Sequence, residues 1–292
     1  MDSVLTSVLL PVALAVVMLG LGLSLTVADF VRVSRHPRAA VIALGLQLLV
    51  LPAICFGLVT LVDLDPVAAV GMMLLAASPG GTTANLFSHL FRGDVALNIT
   101  LTALNSVIAA VTLPLVTGLA LSYFEPAGLE EIGLQFSKVL QVFAIVLVPV
   151  GIGMLVRSRR EAFADRMDRP VRLASIVVLT AVIVGTIVSE RENVADYLTD
   201  LGPVAVVFCV LSLFLGYTVP RAVGVTHREA VACGFEIGVH NGTLAITIAI
   251  SVMGSVALAV PAAVYSVVMF PLAAVAGWLM TVRRPRDEVA VA

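Results

Sequence analysis

Long apolar runs alternate with short polar clusters along the whole chain. A helix needs about 20 apolar residues to cross the hydrocarbon core of a bilayer. On that measure the pattern predicts nine spans. They are Leu5–Val27, Ala39–Leu61, Pro66–Leu90, Val95–Tyr123, Gly133–Val156, Val171–Ser189, Gly202–Val219, Glu229–Met253 and Val256–Val282. The third and eighth are interrupted. Ser-Pro-Gly-Gly-Thr-Thr-Ala-Asn (Ser78–Asn85) weakens one. Phe-Glu-Ile-Gly-Val-His-Asn-Gly (Phe235–Gly242) weakens the other. Proline cannot donate to a helix ladder, and glycine loosens it. A simple proline kink at Pro79 is the alternative reading of the first break. A loop between two spans does not fit, because Pro66–Leu90 has room for one span only.

Composition places the chain in a class. Hydrophobic residues make up 60% of the 292 and charged residues 12%, against about 25% charged in a soluble domain. Mean hydropathy is +1.09. The chain reads as an all-α polytopic membrane protein, one integral domain over residues 1–292. Nothing in it suggests a nucleic-acid partner. Leu5–Val27 lacks the basic start of a signal peptide and is too long for one, so it reads as a true span. Cys55, Cys209 and Cys233 all lie in apolar segments without ligand spacing and read as buried small residues.

Charge orients the spans. With the N-terminus outside, all of the 17 basic residues except Lys138 and Arg191 fall on the cytoplasmic side. These include the cluster Arg157, Arg159, Arg160, Arg166, Arg169 and Arg172, and the tail 283–292. The outer loops carry carboxylates instead, from Asp63 and Asp65 to Asp196 and Asp200. A wrong span count would scramble this alternation. The protein is therefore expected in the cytoplasmic membrane, with its C-terminus inside. The two broken spans then have opposite polarity, as an inverted repeat requires, with halves at about 5–123 and 133–282. Paired interruptions of this kind point to a transporter's binding site.

Chemistry concentrates at the breaks. Glu236 is a carboxylate at membrane depth, where insertion scales put the cost of Asp at roughly 2.5–3.5 kcal/mol. A cation, a hydrogen-bond network or protonation must offset that cost. Asn98, Thr102 and Asn105 share one face of the fourth span. Alone, they also suit interhelical hydrogen bonding, as does Gln47. Together with Glu236 they are hard oxygen ligands fit for a small hard cation. His240 stands four residues beyond Glu236 and reads as either a support for the break or a titrating group. Freed amides near Thr82, Thr83 and Asn85, and near Asn241, Gly242 and Thr243, form candidate contacts for a substrate anion. An intramembrane enzyme would need a nucleophile–base pair or a metal set, and the spans offer no His-x-x-x-His or paired aspartates. A sensor or scaffold would carry an output module, and none is evident.

These strings carry a family resemblance. Met-Leu-Gly-Leu-Gly-Leu-Ser-Leu (Met18–Leu25), Ser78–Asn85, Arg-Gly-Asp-Val-Ala-Leu-Asn (Arg92–Asn98) and Phe235–Gly242 together make the chain similar to the bile acid:sodium symporter family. The resemblance implies sodium-driven symport of a small organic anion. It implies a panel domain and a core domain, with the two discontinuous helices crossing in the core. It implies a first sodium site at Asn85, Asn98, Thr102 and Glu236, with the Ala84 backbone nearby. A second would use Gln47, Glu236, His240 and the carbonyls of Ile237 and Val239. Ala84 and Asn98 stand where the family often has serine, and His240 where it often has glutamine. Sodium would act as the coupling ion rather than a resident cofactor. A proton-coupled carrier of the same fold is the alternative, since His240 and Glu236 can both take up protons.

Overall fold

The computed structural model describes residues 37–126, 136–167 and 194–282, with scattered positions between 15 and 31 and between 170 and 177. The first and sixth predicted spans and the tail 283–292 lie wholly or mostly outside the described residues. Within the described residues every regular element is a helix.

Helix α1 runs over Pro37–Leu61. Its centre widens into a π-turn at Leu46–Val50, with the Leu51 amide donating to the Leu46 carbonyl. Pro52 accounts for the widening, because it has no N–H and its ring crowds the carbonyl four residues back. Helix α2, Pro66–Ala77, starts where Asp65 accepts from the Val67 and Ala68 amides, with Pro66 in the first turn. Almost all of α2 is buried, as befits a helix apolar on every side. It stops at Ala77, and α3 resumes over Thr82–Leu90. Helix α4, Val95–Phe124, is capped by Asp94 and is followed by α5, Phe136–Arg159.

Helix α6 covers Val194–Ala222, starting earlier than the predicted Gly202. The apolar count missed its polar first turns, which remain helical. Helix α7, His227–Gly238, opens with a reciprocal Thr226–Glu229 capping box. It stops two residues after Glu236, and α8 follows over Gly242–Val252. Glu236 itself is thus helical, and the break is Val239–Asn241. After a single 3₁₀ turn at Ala257–Ala259, α9 spans Val260–Val282.

Among the described residues four stretches are long and apolar enough to cross a membrane: Pro37–Leu61, Val95–Phe124, Thr199–Ala222 and Ala257–Val282. Pro66–Ala77 and Gly242–Val252 are apolar but too short to cross alone. Each is one half of a broken pair. The two pairs cross: α3 packs on α7, and α2 meets α8. Where they cross, Gly80 and His240 form an antiparallel bridge, and the Asn241 amide donates to the Pro79 carbonyl at 2.8 Å. The interruptions therefore run past each other in opposite directions. Phe87, Phe91, Phe235 and Phe270 form an aromatic cluster that locks α3, α7 and α9 together beside the crossing.

Candidate functional site

A broken membrane helix frees backbone groups that must find partners inside the protein. Here side chains from neighbouring helices meet them. Gln47, carried on the π-turn of α1, donates through Nε2 to the Ala76 and Ser78 carbonyls at 3.2 and 3.1 Å. His240 lies in the second break, and its Nδ1 donates to the same Ser78 carbonyl at 2.9 Å. The ring stacks on Phe208, with centroids 5.5 Å apart, and meets the edge of Tyr265 at 5.4 Å. The Tyr265 hydroxyl donates to the Gly238 carbonyl at 2.8 Å, tying down the end of α7. His240 bonds across to the other broken helix rather than to Glu236, because the helix ends before reaching it.

Glu236 is fully buried. Among the described residues no lysine or arginine forms an ion pair with it. Helix α4 supplies its side-chain partners. The Thr102 hydroxyl approaches Oε2 at 2.5 Å, and Asn105 Nδ2 donates to Oε1 at 3.0 Å. The Thr102 hydroxyl also lies 3.0 Å from the Asn98 carbonyl. One turn earlier on α4, Asn98 Nδ2 donates to the Ala232 carbonyl of α7 at 2.7 Å. The polar face read from the sequence thus faces α7, and each member bonds to it.

Oxygen acceptors are left over at this level. Gln47 Oε1, Asn85 Oδ1, Asn98 Oδ1 and Asn105 Oδ1 are buried without a hydrogen-bond partner, as is His240 Nε2. An orphaned buried acceptor is costly. Amide oxygens beside a carboxylate are donors of the kind that bind a hard cation. Among the described residues no group of three or more His, Cys, Asp or Glu could hold a metal. The three cysteines are buried and free.

The predicted residues come together unevenly. Thr102 meets Glu236 directly and Asn98 joins through its backbone carbonyl, while Gln47 and His240 converge on Ser78. Ile237 and Val239 are buried beside them. Asn85 lies on α3, and its buried oxygen lacks a partner. Of the predicted anion contacts, Thr82 and Thr83 begin α3, where Gly81 brings no side-chain cap. Asn241 is different: its own side chain accepts from the Leu244 amide and caps α8. Gly242 packs against α9, where a Cβ would lie 2.0 Å from Ser266 Oγ, and Thr243 is buried. The sequence reading did not pair Asn105 with Glu236, and it missed Ser78 and Tyr265. Asn105 had a signal, its place on the Asn98–Thr102 face. The other two had none, since a carbonyl acceptor and a buried tyrosine look ordinary in sequence.

An open apolar groove of about 500 Å³, lined by residues such as Phe56, Met73, Leu119 and Tyr123, lies elsewhere. It is more than two turns farther along α4 than Asn105 and shares none of the polar residues.

Residues 11–197 match the model of the sodium bile acid symporter family, and the chain belongs to that family. It is similar to a probable chloroplastic sodium/metabolite cotransporter, BASS1, of Arabidopsis thaliana: 30% identity, over 88% of this chain and 62% of the plant protein. It is similar to an uncharacterized sodium-dependent transporter, YocS, of Bacillus subtilis: 26% identity, over 87% of this chain and 77% of that one. It is also similar to the human ileal sodium/bile acid cotransporter: 25% identity, over 84% and 70%. The chain spans about three-fifths of the plant relative's length.

Proposed function

We propose that this membrane protein is a secondary active transporter that couples sodium to the symport of an organic anion, and that it is not an enzyme. The observation that carries the reading is the fully buried Glu236 carboxylate beside a crossing of two broken helices, with unpartnered buried amide oxygens on the helices that meet there. The relatives' names, all sodium-dependent, support the choice of ion. One sodium would sit among Asn85, Asn98, Thr102 and Glu236. A second would use Gln47, Glu236, His240 and the carbonyls of Ile237 and Val239. Each would neutralise part of the buried charge and draw the crossing helices together.

The anion would meet the start of α3, where the N-cap is Gly81 and brings no side-chain cap. Asn85, Asn241, Gly242 and Thr243 would complete that surface. Nine spans in two inverted halves, an outside N-terminus and a core moving past a panel complete the proposal. The antiparallel bridge at Gly80 and His240 supports the inverted polarity.

The test is uptake into proteoliposomes, using a conjugated bile acid and a small monocarboxylate as radiolabelled probes. An inward sodium gradient should drive accumulation of at least one of them. Equal rates in sodium and choline would reject sodium coupling. Uptake that instead follows a pH gradient would put a proton in sodium's place.

A further inference from the structure

We infer that Asn105 takes the cation's place on Glu236 and so sets how readily the ion leaves. The inference rests on the sodium reading above. Asn105 belongs to neither implied ion site, yet its Nδ2 donates to Glu236 Oε1 at 3.0 Å, and the residue is buried. Thr102, one turn away on the same helix, donates to the other oxygen. One face of α4 thus delivers a donor to each carboxylate oxygen.

The two donors differ in what else they can do. The Thr102 hydroxyl has lone pairs and can coordinate a cation while staying near the carboxylate. The Asn105 NH₂ group has none on offer, and its positive edge competes with a cation for the charge on Oε1. Hydrogen bonds to an ionised acceptor are the strong ones. The bond therefore favours the carboxylate without a cation and weakens cation binding by its own free energy. A symporter needs that balance. It must let sodium go from a buried acid, and then return with the acid still at membrane depth. A fixed donor serves both steps.

Sodium alone can test this, with no substrate. Thermal unfolding of the purified full chain is followed while sodium chloride replaces choline chloride at constant ionic strength. In Asn105→Leu the melting temperature in choline should fall. The half-saturating sodium concentration should fall about tenfold, the equivalent of about 1.4 kcal/mol. An unchanged or raised value, as expected of a lost ligand or a merely structural residue, overturns the inference. Asn105→Ala, which adds no bulk, is read in the same way and decides the matter if the leucine variant does not fold. A wild-type protein indifferent to sodium would retire the sodium reading and this inference with it. A responsive wild type with unresponsive variants retires the inference alone.

Discussion

A Cβ on Gly80 would lie 2.6 Å from the carboxyl carbon of Glu236, and as close to its Oε2 and its backbone carbonyl. No side chain can exist there without moving the acid. The backbone of the first break is the wall against which the carboxylate rests. Part of the contact is with main chain, so rotation of the glutamate cannot relieve it.

Gly80→Ala should therefore cost about 1–3 kcal/mol in overpacking and abolish the sodium response. Gly81→Ala is the matched control. Its Cβ would meet the Asn241 side chain at an ordinary 3.6 Å, and its φ of −129° suits any residue. Thermal shift in sodium and in choline reads both. Equal damage from the two substitutions would argue against the close contact.

Glu236→Gln should leave the protein folded and monodisperse, because the Thr102 hydroxyl can turn to the Asn98 carbonyl and accept from the new amide while Asn105 still donates to its oxygen. Sodium-driven uptake should collapse. The loss should exceed that of Asn85→Ala or Thr102→Ala, because both implied ion sites share the glutamate. Normal sodium-dependent uptake by the variant would mean that the acid is structural only.

His240→Gln exchanges a nitrogen for an amide oxygen, a harder ligand. The amide can still donate to Ser78. We expect a lower half-saturating sodium concentration and little change in maximal rate. A variant that acquires sodium dependence absent from the wild type would instead show that His240 supports proton coupling.

Val62 follows α1 and Val223 follows α6, and both are about half exposed. The native cysteines are fully buried, so a single added cysteine is read against a quiet background. An impermeant maleimide should label Val62→Cys in intact cells. It should reach Val223→Cys only after the membrane is opened. The reverse pattern would invert the topology read from the arginines.

What was legible in the sequence was what is local. Asp65–Pro66 and the Thr226–Glu229 box announce helix starts within a few residues, and α2 and α7 begin there. Pro79–Gly81 marks a break that no distant contact is needed to explain. The apolar count failed at α6, where polar residues are helical outside the apolar run. The site was harder. Asn105 could be placed on a face, but its partner lies 131 residues away. Ser78 collects Gln47 and His240 through a carbonyl that every residue possesses. The π-turn that carries Gln47 has only Pro52 as its sign, and proline more often suggests a kink.

The crossing also bears on how the chain is made. Ser78 and His240, which share a hydrogen bond, are 162 residues apart, and Pro79 receives the Asn241 amide. While the ribosome is still producing the segments between them, the carbonyls of the first break have no such partners. Gln47 is already made and can donate to the Ala76 and Ser78 carbonyls, but the Pro79 carbonyl must be met by water, lipid headgroups or the insertion machinery until the second break arrives. The first broken helix cannot be completed in the order of synthesis. Its final shape waits for the second break, 162 residues later, to enter the membrane.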